Sequence, residues 1–297
     1  MRSLLILSAW SLLLSSCNLT ESLSIEINPR PVLRVGYEYL NDSGRNTLSE
    51  EAGRMDIFVF DGVGHFVSQL AATSDEIIRP DGVMLLDGVP EDTYTVVSLA
   101  NAEQSRYPAL QPGISTLADL QITLDPETPH ETSDRLLHSL NRYIVRRGGP
   151  ALHTVSLDKL YYTIDLTIVG AEYTMEEHTY TVGITGTAAG FDALGNPIRQ
   201  EVIVRPELER VGDRLCSRFT VCKFDRQDAV RILLQTDDKS VTDIALSEYI
   251  EQNDIGIDFQ RDRDIVIPVT LKVSSTGVTV TINGWEVAQI QFPALGA

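Results

Sequence analysis

The hydrophobic pattern of the chain is that of β structure. In LYYTIDLTIVG, Tyr162, Ile164, Leu166 and Ile168 alternate with Thr163, Asp165 and Thr167. A period of two over this length predicts a half-buried strand. Met55 to Phe60 (MDIFVF) is an apolar run closed by Asp61-Gly62-Val63-Gly64, with His65-Phe66-Val67 resuming beyond it. Apolar runs flanking an Asp-Gly turn predict a hairpin. Val83 to Leu86 and Tyr94 to Ala100 read as a second strand pair around Gly88-Val89-Pro90-Glu91-Asp92. Ile265 to Val273, a Ser-Ser-Thr-Gly turn at 274–277 and Val278 to Ile282 predict a closing hairpin, after which Trp285 follows Asn283-Gly284.

Helical signals are short. They fall at Ile114 to Leu124, at Asp134 to Leu140 with Asp134 as N-cap, and at Thr242 to Gln252. Arg146-Arg147-Gly148-Gly149-Pro150 is the strongest break in the chain. It divides the body into residues 31–147 and 151–297. Strands at short spacing with turn residues between them predict a mainly β fold of two antiparallel β-sandwich domains in tandem, with short helical insertions.

Composition narrows the function. The 297 residues include 42 acidic and 24 basic side chains, a formal charge of −18. That balance argues against a nucleic-acid partner, which needs clustered Lys and Arg. It suits a well-solvated surface.

The N-terminus reads as an address. Arg2 gives a positive start, and Leu4 to Leu14 an apolar run too short to span a membrane. Leu14-Ser15-Ser16-Cys17 then has the form of a bacterial lipobox: a branched aliphatic, two small residues and a cysteine. This predicts a signal peptide over residues 1–16, acylation of Cys17 and a lipidated tether over 17–30. Several acyl chains on one cysteine would hold the mature chain stably on a membrane, where one chain gives only marginal binding.

Other chemistry is sparse. Cys216 and Cys222 lie in RLCSRFTVCKF; on one strand they sit about 20 Å apart, too far for a disulfide. We expect both unpaired and largely buried. His65, His130, His138, His153 and His178 form no HExxH spacing and read as surface or loop residues. GxSxG and GxGxxG motifs are absent from the sequence. Asp125-Pro126-Glu127 lacks the pattern of a calcium loop, and Asp237-Asp238 reads as a solvated turn. No catalytic, cofactor-binding or metal-binding residues and no small-molecule substrate are inferred, so the protein reads as a non-enzyme. Tyr161, Tyr162 and Trp285 are expected in the core, a sugar-stacking platform being the alternative.

Four features resemble the FimB-like fimbrial anchor lipoproteins of Bacteroidia, which tether type V fimbriae. They are the lipobox Cys17; Val35-Gly36-Tyr37-Glu38-Tyr39 followed by MDIFVFDGVGHFV; GVPEDTYTVVSLAN; and the terminal VTVTINGWEV. The chain departs from the family pattern at Leu99, where an aromatic is expected, and at His65, in place of Lys or Arg. The resemblance implies two transthyretin-like domains on an outer-membrane lipid anchor at the cell surface. The implied partners are fimbrial stalk subunits, joined by strand exchange. Stalk subunits of such systems are cut after Arg or Lys near the first strand; Arg45 and Arg54 stand in a segment read as a loop. A surface glycan-binding lipoprotein and an accessory or tip fimbrial subunit are the competing readings.

Overall fold

A computed structural model describes residues 30–150, 152–170, 179–225, 227–236, 239–252, 256–259, 262–274 and 277–291. The first nine strands are β1 (Val32–Glu38), β2 (Arg54–Phe60), β3 (Phe66–Thr73), β4 (Val83–Asp87), β5 (Asp92–Ala100), β6 (Gln121–Thr123), β7 (Leu137–Val145), β8 (His153–Ser156) and β9 (Asp158–Lys159). The rest are β10 (Tyr161–Val169), β11 (Tyr180–Thr185), β12 (Gly190–Asp192), β13 (Pro197–Ile198), β14 (Glu209–Val211), β15 (Arg214–Cys222), β16 (Arg231–Thr236), β17 (Lys239–Ala245), β18 (Val266–Val273), β19 (Gly277–Ile282) and β20 (Trp285–Gln291). Three short α-helices, α1 (Leu48–Glu51), α2 (Ser74–Ile77) and α3 (Leu246–Gln252), complete the described elements with one 3-10 turn.

Two sandwiches result, as the strand spacing predicts. In the first lobe a five-stranded sheet, β3-β2-β5-β7-β9, packs on β4-β1-β8. Leu33, Val35, Ile57, Val59, Val96 and Tyr143 fill the space between. In the second lobe a six-stranded sheet, β14-β15-β10-β18-β19-β20, packs on β11-β16-β17. Its core includes Ile164, Leu166, Phe219, Ile232, Leu271 and Val280. The alternation read in β10 places Tyr162, Ile164, Leu166 and Ile168 inside, as expected. The strand ladders are antiparallel except β1 with β8 and β10 with β18, which are parallel.

A third sheet, β13-β12-β6, covers the other face of the five-stranded sheet. Phe58, Phe60, Val97 and Leu99 point toward it and meet Leu120, Ile122 and Phe191. This explains why MDIFVF is apolar at every position but Asp56 rather than alternating: both faces of β2 are buried. The third sheet also joins the halves of the chain, since β6 comes from the first and β12 from the second. Gly190 is required at that seam, because a Cβ there would run into the carbonyl of Ile122.

Several sequence expectations need correction. β4 and β5 are strands but do not pair; β4 lies against β1, while β5 lies between β2 and β7. The turn at Val89-Pro90 carries the chain from one sheet to the other. Residues 114–124 hold only a 3-10 turn at Leu117–Asp119 and then β6. Leu137 to Leu140 is strand, and Asp134 caps no helix; its carboxylate accepts the backbone N–H groups of Gln104 and Ser105. In the 242–252 segment only Leu246–Gln252 is helical, the preceding residues completing β17. The Gly-rich break is a turn in which the Gly149 N–H donates to the Arg146 carbonyl. Beyond it, β8 and β9 pair with β1 and β7, so the first lobe's sheets take in residues up to Lys159.

Candidate functional site

Cys17, the signal peptide and the tether at 17–29 lie outside the described residues. Where the chain meets the fold is nonetheless defined. At the start of β1 the Pro31 carbonyl accepts the Gly88 N–H, and nearby Arg147 pairs with Glu91 at 3.2 Å. Arg30, Arg147 and the 87–91 turn line a cavity of about 620 Å³ there. β1 then runs through the first lobe and delivers Tyr39 to the second, about 20 Å away at 3.3 Å per residue. The N-terminal segment therefore joins the lobe at the end opposite the joint.

The joint between the lobes is a polar network. Lys159 Nζ lies 2.5 Å from Asp264 Oδ1 and 3.5 Å from Glu51 Oε1. The Tyr39 hydroxyl donates to Asp264 at 2.8 Å, and the Tyr161 hydroxyl to Glu51 at 3.1 Å. Arg135 completes the ring on Glu51 at 2.7 Å. The Lys159 ammonium also sits 4.9 Å from the Tyr39 ring centroid and 5.2 Å from that of Tyr161. Burial pulls the Lys159 ammonium down, yet the Asp264 hydrogen bond and the surrounding anionic groups outweigh it and hold its pKa above the ordinary value. Asp264 is likewise opposed by burial but held low by Lys159 and Tyr39. Arg263 reinforces the joint: its backbone N–H donates to Asp42 at 2.7 Å and its guanidinium to the Leu40 carbonyl. A second seam couples Thr132 and Ser133 to Thr220.

Sequence reading missed this network. Lys159 is separated by 105 positions from Asp264, and no local motif links them. The one available signal was a lone Lys two residues before an apolar strand.

The histidines divide. His65 is exposed and His130 is buried within the loop between β6 and β7, whereas His138 is buried on β7, contrary to the expectation of a surface or loop position. His130 Nε2 bonds the Asp125 carbonyl and His138 Nε2 the Ala193 carbonyl. The His153 ring lies tilted against that of Tyr143, with centroids 4.8 Å apart, and His178 lies outside the described residues. Asp125 pairs with Arg106 at 3.0 Å and caps Glu127 and Thr128. Asp237-Asp238 lie outside the described residues. Cys216 and Cys222 are free on one strand; Cys222 is buried, but Cys216 is only half-buried. Burial pushes the Cys222 thiol up to about 12. Arg54 opens β2 with its guanidinium on Asp56, so of the two basic residues only Arg45, ion-paired to Glu50, lies in a turn. Among the described residues no cluster of His, Cys, Asp or Glu is arranged to hold a metal ion.

Tyr161 and Tyr162 are core, as expected, but Trp285 is 63% exposed. It opens β20, the free edge of the six-stranded sheet. No helix among the described residues is long and apolar enough to cross a membrane.

Fold and joint define a tandem β-sandwich chain whose lobes are locked together by a third sheet and an ion-pair network. Residues 17–291 match the family model of the fimbrillin-A associated anchor proteins Mfa1 and Mfa2, and the chain belongs to that family. The fimbrial anchor protein Mfa2 from Porphyromonas gingivalis superposes with a TM-score of 0.67 at 14% identity, over 88% of this chain and 99% of that one. A candidate polysaccharide-binding protein from Bacteroides thetaiotaomicron gives 0.71 at 17% identity, over 88% and 99%. A candidate adhesin from Bacteroides ovatus gives 0.69 at 14% identity, over 90% and 97%. No curated protein matches the sequence.

Proposed function

We propose that the protein is a non-enzymatic, lipid-anchored outer-membrane subunit that holds the base of a cell-surface fimbria through strand contact with a fimbrial subunit. The observation that carries this reading is the extent of the family match, which begins at Cys17, the residue the lipobox assigns to acylation. Two features are consistent with it. The N-terminal segment leaves the first lobe at the end remote from the joint, and sheet edges stand open for main-chain pairing. The glycan-binding alternative is weaker, because Tyr161 and Tyr162 are buried and leave Trp285 without them as a platform.

The test is fractionation of cells carrying the wild-type chain or Cys17→Ala. The wild type is expected in the outer membrane with fimbrial subunits, and the variant is expected to release fibres into the medium. A wild-type chain that is membrane-bound yet brings down no fimbrial subunit would retain the lipoprotein assignment and remove the anchor role.

A further inference from the structure

Two turns of the first lobe hold aliphatic side chains out in solvent. Val63 is 80% exposed and Ile114 72%, the two most exposed large apolar side chains among the described residues. Neither turn needs them. The 61–65 turn is closed by the Asp61 carboxylate, which accepts the Val63 and His65 N–H groups, and by the Gly64 N–H on the Asp61 carbonyl. The 111–115 turn is closed by the Ile114 and Ser115 N–H groups on the Gln111 carbonyl. The Ser115 hydroxyl accepts the Gln111 N–H in return. Polar residues would serve at both tips, and turns ordinarily carry them.

The two tips are neighbours, and they stand where the N-terminal segment enters. The Phe66 N–H donates to Ser115 and the Leu117 N–H to Gly64, which lays the second turn alongside the first. A Cβ on Gly62 would lie 3.0 Å from the Asp92 carboxylate, and Asp92 opens β5 opposite Val145 of β7. The turn before Asp92 holds Glu91, paired with Arg147, and Gly88, whose N–H donates to Pro31 beside Arg30. On the same rim Ile144 lies opposite Thr93 and is 58% exposed. One end of the lobe therefore carries three exposed aliphatic side chains and the point at which residues 17–29 join.

Charge sets this end apart. A chain of net charge −18 is repelled by an acidic surface over most of its own. Here Arg30, Arg142 and Arg146 are exposed and form no ion pair among the described residues. Arg142 is two positions from Ile144, hence on the same face of β7. Of the acids nearby, Glu91 is paired with Arg147, while Asp61 and Asp92 accept backbone N–H groups. Asp87 is left unpaired among the described residues.

We infer that this end of the first lobe is a membrane-contact surface, and that its occupant is the bilayer holding the acyl chains of Cys17. The inference rests on the lipid-anchor part of the reading above. Val63, Ile114 and Ile144 enter the boundary between headgroups and acyl chains, and the three arginines meet headgroup phosphates. The tether selects lipid as the occupant. Residues 17–29 span at most about 45 Å when fully extended, and they join at this end. The joint lies farther off by the length of β1, seven residues or about 20 Å. Attachment at one point leaves a body free to turn; apolar tips and arginines around that point fix which face meets the lipid.

The experiment places a photocrosslinking amino acid at position 63, 114 or 285 of the full chain in cells, and identifies adducts in the membrane fraction by mass spectrometry. Trp285, exposed on the second lobe, is the comparison position. Lipid adducts from 63 and 114 are expected at least tenfold above those from 285. Equal lipid yields from the three positions overturn the assignment, as do protein adducts in place of lipid from 63 and 114. In a second measurement the probe stands at 144, and Val63→Asp with Ile114→Asp is expected to cut its lipid adduct at least fivefold; an unchanged yield overturns the surface. A chain that fractionates with the membrane yet gives no lipid adduct from 63 or 114 removes the contact surface and keeps the lipid anchor. A chain found in the soluble fraction removes the anchor, and the contact surface with it.

Discussion

His138 shows how one side chain can be read wrongly from sequence and rightly from its surroundings. On β7 it points into the layer under the third sheet and bonds the Ala193 carbonyl at 3.0 Å. Burial lowers its pKa, against the opposing hydrogen bond to the Ala193 carbonyl and the charges of Asp158 and Asp192, so the fold favours neutral imidazole. The stabilisation this gives is complete above the unfolded value of about 6.5 and is lost as pH falls through the lowered folded value. The melting temperature is therefore expected to drop between pH 7 and pH 5. His138→Gln, which does not titrate, should be less stable at pH 7 but show a flatter profile over that range. An unchanged slope in the variant would place the pH sensitivity elsewhere.

At the scale of elements, the third sheet depends on one close approach. β12 lies against β6 only because Gly190 lets the backbones meet at Ile122 and Thr123. Gly190→Val is expected to cost about 1–3 kcal/mol through overpacking. Hydrogen exchange should show the loss first in β6 and β12 and little change in β18 and β19. Uniform loss across both lobes would mean that the third sheet is not a separable layer. The same layer explains why pattern reading succeeded for β2 and failed for residues 134–140. A run buried on both faces is apolar whatever covers it. A segment such as Asp134 to Leu140 carries helix-start residues, yet Leu136 and Leu137 are fully buried, and that burial, with pairing to β5, decides for strand.

For the whole molecule the question is what makes two sandwiches one body. Lys159 is the hub, its side chain 10% exposed between Asp264 of the second lobe and Glu51 of the first. Lys159→Met would leave Asp264 without its cation, while Glu51 keeps Arg135. Removing one partner of a buried pair costs about 3–5 kcal/mol, and the partial exposure of Asp264 reduces the expectation to about 2–3 kcal/mol, read by urea denaturation. Loss of coupling should also show as a second transition in calorimetry. A variant that keeps wild-type stability and one transition would assign the coupling to the Thr132–Thr220 seam and the third sheet alone.

Sequence by itself determined the class of fold, because the two-residue period of β10 and the Asp-Gly turn after β2 are local signals set by backbone geometry. It also carries the proposal of Cys17 as the acylated residue, since a lipobox is read as a linear string. Only tertiary structure decided which strands are neighbours, that Trp285 is exposed at a free edge, and that Tyr39, Glu51, Lys159 and Asp264 form one network. Those facts depend on contacts between residues up to 225 positions apart. Such contacts leave no periodicity in the chain, because the free energy that selects them comes from burial and pairing after the strands have formed.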